Sequence, residues 1–283
     1  MSVGSADQAE GAGPLWSVEM RGRVAIATYF NPPMNYATSA AVRELSLLVD
    51  SWADPAIRAV VLGGANPGRF ITHFDVSEIL STNVDRERFI AAGPKINYEV
   101  HDLLNRLHSL DKPVIAALNG DTMGFGFELS LATDFRIGQY GDFRYGLPEV
   151  RLGILPGGTG TQRLARLVGV NRALELILRA RVFTPEEALE MGAVSELADD
   201  ALARAIVIAT EIANLPAGAV GIAKRVIYQA RELTMAAASV MEIDAAFRAK
   251  LDPESVTRMS EYVALPFEDR RAWLDQASRP DSH

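Results

Sequence analysis

Residues 112–134, KPVIAALNGDTMGFGFELSLATD, restrict the fold more than any other part of the chain. Residues 114–118 are a short apolar run of strand-favouring type, bounded by Pro113 and by Asn119-Gly120. Gly124 and Gly126 flank Phe125, so the backbone turns sharply and a helix begins there. The first N–H groups of a helix lack intrahelical partners, and such amides suit an oxygen that gains negative charge during a reaction. Glu128 falls about one turn into this helix, and a second acid, Glu149, follows in YGLPEVRLGILPGG.

Around this unit, short strands alternate with helices. Residues 24–30 (VAIATYF) alternate as a strand and pair with 16–20 across Arg21-Gly22-Arg23. Thr38 or Ser39 caps a helix that runs to about Trp52, and residues 59–63 form another buried strand. A helix begins near Val76, with Asp75 as its simplest N-cap. Residues 94–110 are helical by period, with Ile96, Val100, Leu103, Leu104 and Leu107 on one stripe. Residues 135–137 and 143–145 are short strands. Strands interleaved with helices define an α/β class. After Ala198 the pattern becomes helical, with helices expected over 201–214 and 220–239 and more to the end.

Charge and composition narrow the functions. A net charge of −8 argues against nucleic acid and anionic membrane surfaces as partners. The absence of cysteine excludes disulfides, thiolate catalysis and zinc–thiolate sites, and fits a reducing compartment such as the cytoplasm. The four histidines have no metal-like spacing, so no metal site is expected. Residues 1–14 read as a disordered lead without a secretory pattern.

Four segments carry a resemblance: KPVIAALNG, GFGFELSLATD, GLPEVRLGILPGGTGTQRLARLVG and TPEEALEMGAVSEL, in this order. Together they resemble the enoyl-CoA hydratase/isomerase (crotonase) superfamily. The resemblance runs from about Val18 to Leu197 and implies a spiral of ββα units over 15–198. A helical region, 199–283, would then cover the active site and make trimer or hexamer contacts. It also implies an acyl-CoA substrate, with coenzyme A carried as part of that substrate and no separate cofactor.

By this resemblance, two backbone N–H groups polarise the thioester carbonyl, and they map to Phe74 in FITHFD and Phe125 in GFGFE. Both depart from the family, which has small residues there. A main-chain donor tolerates any residue but proline, while the simpler reading is that these rings only pack the core. Glu128 and Glu149 fall where hydratases of this family carry their acids. The implied roles are activation of water by Glu128 and donation of the α-proton by Glu149. Read alone, Glu128 is a solvated helix residue and Glu149 a helix cap.

Met34, Thr72, His73, Asp75 and Gly124 complete the implied substrate-binding set, with 33–35 along the pantetheine side. His73 reads as a polar pocket liner in preference to a general base. Residues 157–160 (GGTG) lack the lysine and spacing of a phosphate loop and take no ligand role. Arg270 and Arg271 are suggested partners for the coenzyme A phosphates. The expected reaction is reversible hydration of a 2-enoyl-CoA to a 3-hydroxyacyl-CoA. Hydrolysis of a thioester or of a 1,3-diketone C–C bond, double-bond isomerisation, and a catalytically silent acyl-CoA-binding subunit are the alternatives.

Overall fold

The computed structural model describes residues 13–275. Residues 1–12, most of the expected disordered lead, lie outside that range. Among the described residues, ten strands form two sheets. Strands β1 (Trp16–Arg21), β2 (Val24–Tyr29), β3 (Ala59–Gly64), β5 (Val114–Leu118), β7 (Phe135–Gln139) and β10 (Glu196–Ala198) make the larger sheet, in that spatial order. Strands β4 (Gly68–Arg69), β6 (Gly120–Met123), β8 (Tyr145–Gly146) and β9 (Val182–Phe183) make the smaller one. All neighbours in the larger sheet are parallel except the β1–β2 hairpin. Each turn of the spiral therefore gives a longer strand to one sheet, a short one to the other, and then helix: β3 and β4, β5 and β6, β7 and β8.

Side-chain alternation decides what each face of the larger sheet covers. Val24, Ile26, Val61, Ile115, Ala117 and Ile137 face one way, onto a helix whose alanines 201, 205, 209 and 213 repeat every fourth residue. Small side chains at that spacing let the helix lie close against the strands. Ala25, Ala27, Tyr29, Val60, Leu62, Val114 and Ala116 face the other way, into the main core. Among the helices that close that core are α1 (Ser39–Ser51) and three more. These are α4 (Tyr98–Ser109), α5 (Phe125–Leu131) and α6 (Gly160–Val168), which follow α2 (Val76–Val84) and α3 (Arg86–Ala92) along the chain. Next come α7 (Val170–Leu178), α8 (Pro185–Glu190), the alanine-striped α9 (Ala201–Ala213), α10 (Ala217–Gln229), α11 (Met235–Leu251), α12 (Pro253–Ala264) and α13 (Arg270–Asp275).

Thr38 caps α1 by accepting from the Ala41 N–H, and Asp75 caps α2 by accepting from the Ser77 N–H. Several expected boundaries are corrected. Residues 94–110 divide into a 3-10 turn over Gly93–Asn97 and α4, since Pro94 suits the tight first turn and not a helix interior. The expected helix over 220–239 breaks at 230–234, where Thr234 leaves the helical conformation and caps α11. The strand expected at 143–145 is only Tyr145–Gly146.

Strand β6 was not anticipated. Asn119 exchanges two hydrogen bonds with the Gly64 backbone, and the chain passes there from one sheet to the other. Gly120 then meets the Gly68 backbone so closely that a Cβ would sit 1.9 Å from its carbonyl carbon. A glycine read as the end of a strand is in fact where a second strand begins.

Candidate active site

Three segments converge at the entry to α5. The segment after β4 runs between the 34–37 turn and β6: the Thr72 N–H donates to Asn35 O, the Ala37 N–H to His73 O, and the Met123 N–H to Thr72 O. Thr72 Oγ1 donates to Met34 O at 2.5 Å. Asn35 takes a positive φ of 56° and is fully buried, its side-chain amide donating to Phe70 O at 2.6 Å. Gly126 touches this segment so closely that a Cβ there would lie 1.9 Å from Ile71 O. The turn that starts α5 is thereby fixed against the segment that carries Phe74.

The two phenylalanines pack against each other. Their rings lie edge to face with centroids 5.8 Å apart, and Phe125 is buried in the main core. Bulk at one position is accommodated by bulk at the other. Among the described residues, neither the Phe74 nor the Phe125 backbone N–H has an acceptor within the chain. His73 stacks on Tyr36 with centroids 4.3 Å apart. Its Nδ1 lies 2.7 Å from Phe74 O, and because a carbonyl only accepts, that nitrogen carries the proton. Asp75 Oδ1 is taken up by the Ser77 N–H and hydroxyl.

The two glutamates occupy unlike surroundings. Glu128 is 3% exposed, and its Oε1 accepts from the Gly158 and Gly160 N–H groups, each at 2.8 Å. Burial pushes its carboxyl above the ordinary value, while those two amides, His101 and Arg163 oppose the shift. Residues 157–160, expected to take no ligand role, thus hold a carboxylate of the chain itself, a role the sequence reading missed. The sequence signal was the glycine spacing: a Cβ at Gly158 would lie 2.8 Å from Glu128 Oε2, and one at Gly160 2.7 Å from Oε1.

Glu149 opens a 3-10 turn, Glu149–Leu152. Its Oε1 lies 3.1 Å from where a Cβ of Gly124 would be, and His73 Cβ lies 3.6 Å from the same point. Gly124 has a φ of 49°, so glycine serves here both the turn and the approach of the acid. Among the described residues, Glu149 Oε2 is buried without a hydrogen-bond partner. Burial pushes this carboxyl up to about 7, and the charge on Glu128 adds to the shift. His73, Gly124 and Glu149 therefore meet at one point, Met34 and Thr72 at a second, and Phe74 and Phe125 at a third. Arg270, the first residue of α13, donates to the Leu265 and Val263 carbonyls at the end of α12, and Arg271 pairs with Asp275.

The two stacked sheets, the spiral winding and the C-terminal helices are those of the crotonase superfamily, and the chain belongs to the enoyl-CoA hydratase/isomerase family, whose profile matches residues 19–270. It is 34% identical over 233 residues to the short-chain-enoyl-CoA hydratase of Clostridium acetobutylicum, covering 81% of this chain and 86% of that protein. It is 41% identical over 177 residues to the peroxisomal bifunctional enzyme of Danio rerio, 62% of this chain but only 23% of that protein's length. The crystal structure of an enoyl-CoA hydratase from Bacillus anthracis superposes with a TM-score of 0.81 at 30% identity, over 88% of this chain and 95% of that one.

Proposed function

We propose that the protein catalyses reversible addition of water to a 2-enoyl-CoA, giving a 3-hydroxyacyl-CoA. The observation that carries this reading is a pair of carboxylates at the turn that opens α5: Glu128 is buried and accepts from two amides, while Glu149 is half-buried with one oxygen buried and unpartnered. Hydration needs one acid ionised and one protonated at the same pH, and unlike environments supply that split. In this reading Glu128 acts as the ionised partner, its charge favoured by the two amides and by His101 and Arg163 against its burial. It takes a proton from water as the water oxygen bonds to C3. The electron pair of the C=C bond moves onto the thioester oxygen, where the Phe74 and Phe125 N–H groups receive the charge. Each such donor is worth about 3 kcal/mol of transition-state stabilisation. Glu149 then gives its proton to C2, and proton transfer from Glu128 to Glu149 restores the pair.

Met34, Thr72, His73 and Gly124 line the acyl-thioester side in this reading, and Asp75 acts there only through the start of α2. The enzyme needs no cofactor beyond the coenzyme A of its substrate. It assembles as a homotrimer or a hexamer and works in the cytoplasm; the apolar residues exposed on its C-terminal helices support the assembly.

Loss of the enoyl-thioester absorbance of crotonyl-CoA tests the reaction. Glu128→Gln and Glu149→Gln are each expected to lower turnover by about 10²- to 10⁴-fold. Near-normal turnover in either variant would refute the roles assigned. Retained coenzyme A binding with no turnover would point to a silent binding subunit, and cleavage of a cyclic diketone without coenzyme A to a hydrolase.

A further inference from the structure

We infer that His101 and Arg163 are positioning residues for Glu128, each locking one of the two peptide planes whose N–H groups grip its carboxylate. This rests on the hydration reading, in which Glu128 must stay ionised and aimed at water.

The peptide between Gly157 and Gly158 carries the Gly157 carbonyl and the Gly158 N–H. His101 Nε2, from α4, donates to that carbonyl at 2.7 Å, while the N–H donates to Glu128 Oε1 at 2.8 Å. One peptide plane is thus held at both ends. The peptide between Thr159 and Gly160 carries the second donor, also 2.8 Å from Oε1. Its direction depends on Thr159, which sits at φ 72° and ψ 6°, left-handed and rarely adopted by a β-branched residue. Such a conformation persists only where the surroundings hold it.

Arg163 is what holds it. From the next turn of α6, its Nε donates to Thr159 Oγ1 at 2.8 Å, and its Nη2 donates to Asn105 Oδ1 on α4 at 3.2 Å. Threonine at this position makes sense as the hydroxyl the guanidinium grips, since glycine would take the backbone angle at no cost. On its other side Arg163 borders a cleft of about 790 Å³ lined also by His108, Lys224 and Tyr228. The groups that face Glu128 are His101 from α4, Arg163 from α6, the acid of Glu149, and the two glycine amides. Both braces are cations or potential cations, so the same residues that aim the carboxylate also favour its charge.

Arg163→Met is expected to lower kcat about ten- to a hundredfold, the worth of one charge-assisted hydrogen bond, with KM little changed. The acidic limb of the pH profile should move to higher pH. In a Thr159→Gly background, where the backbone angle needs no brace, adding Arg163→Met should change kcat by less than about threefold; the full loss recurring there would overturn the mechanism. His101→Phe should reproduce the pH shift through the other plane. Infrared titration reads Glu128 without turnover, through the carboxyl band that Glu128→Gln removes. Its midpoint should rise in Arg163→Met, and an unmoved midpoint would overturn the inference. Should Arg163→Met fail to fold, Arg163→Lys keeps the charge, loses the planar fork and should show the kcat loss alone. Wild-type protein that hydrates no enoyl-CoA would defeat the reaction proposed, while the infrared midpoints would still decide on the braces.

Discussion

At the scale of single residues, the decisive contrast is between two glutamates of identical chemistry. Glu149 has an unpartnered buried oxygen and a carboxyl raised from 4.5 to about 7. A carboxyl raised on folding contributes stability that is fully present below 4.5 and is lost as pH climbs through 7. Glu149→Gln, which resembles the protonated acid, should therefore melt like the wild type near pH ~4 and above it near pH ~8. Thermal denaturation of both proteins at the two pH values checks this, and equal melting at both would place Glu149 in a wetter site than the structure shows. The positions of both acids were legible from the four family-like segments. Their environments were not, because the amides of Gly158 and Gly160 and the close approach to Gly124 come from other stretches of chain. Phe74 and Phe125, read singly as departures, gain a physical account only as a pair in edge-to-face contact.

At the scale of elements, the α10 helix is tied to the sheet through one carboxylate. Asp134 Oδ2 accepts from the Val114 N–H at 2.7 Å and from Lys224 Nζ at 2.8 Å, and Oδ1 accepts from the Tyr228 hydroxyl at 2.8 Å. Both charged side chains are about nine-tenths buried. Burial lowers the Lys224 ammonium below its ordinary value even with Asp134 beside it. Asp134→Ala leaves that cation without its partner and should cost about 3–5 kcal/mol in urea unfolding. Adding Lys224→Met should return much of that loss, and a cost under about 1 kcal/mol for the single change would count against the tie. No sequence pattern announced this link, since 90 residues separate the partners. Strands 16–21, 24–29, 59–64 and 114–118 were close to their expected limits because period-two alternation or a compact apolar run marks them. The short strands of the smaller sheet were mostly missed: two to four residues give no period to read, and Gly120 serves a close backbone crossing.

For the whole molecule, the C-terminal helices set the open side of the fold. Val240, Ile243, Phe247 and Leu251 follow one face of α11, each more than 60% exposed, and Phe267 is 84% exposed beyond α12. A stripe of this size on water is unusual for a monomer. Sedimentation is expected to give a mass that is a multiple of three chains, and Phe247→Asp to shift it toward one chain. A monomeric wild-type protein would show that the stripe serves another purpose. The sequence alone determined the α/β class, the main strands and the glycine turn at 124–126, because local periodicity and turn residues act within a few positions, while the family resemblance singled out Glu128 and Glu149. Only the tertiary structure decided that residues 157–160 grip Glu128, that α9 joins the core beneath the sheet, and that one oxygen of Glu149 is buried without a partner. Those outcomes depend on burial and on hydrogen-bond donors delivered by segments far apart in the chain, which no local pattern encodes.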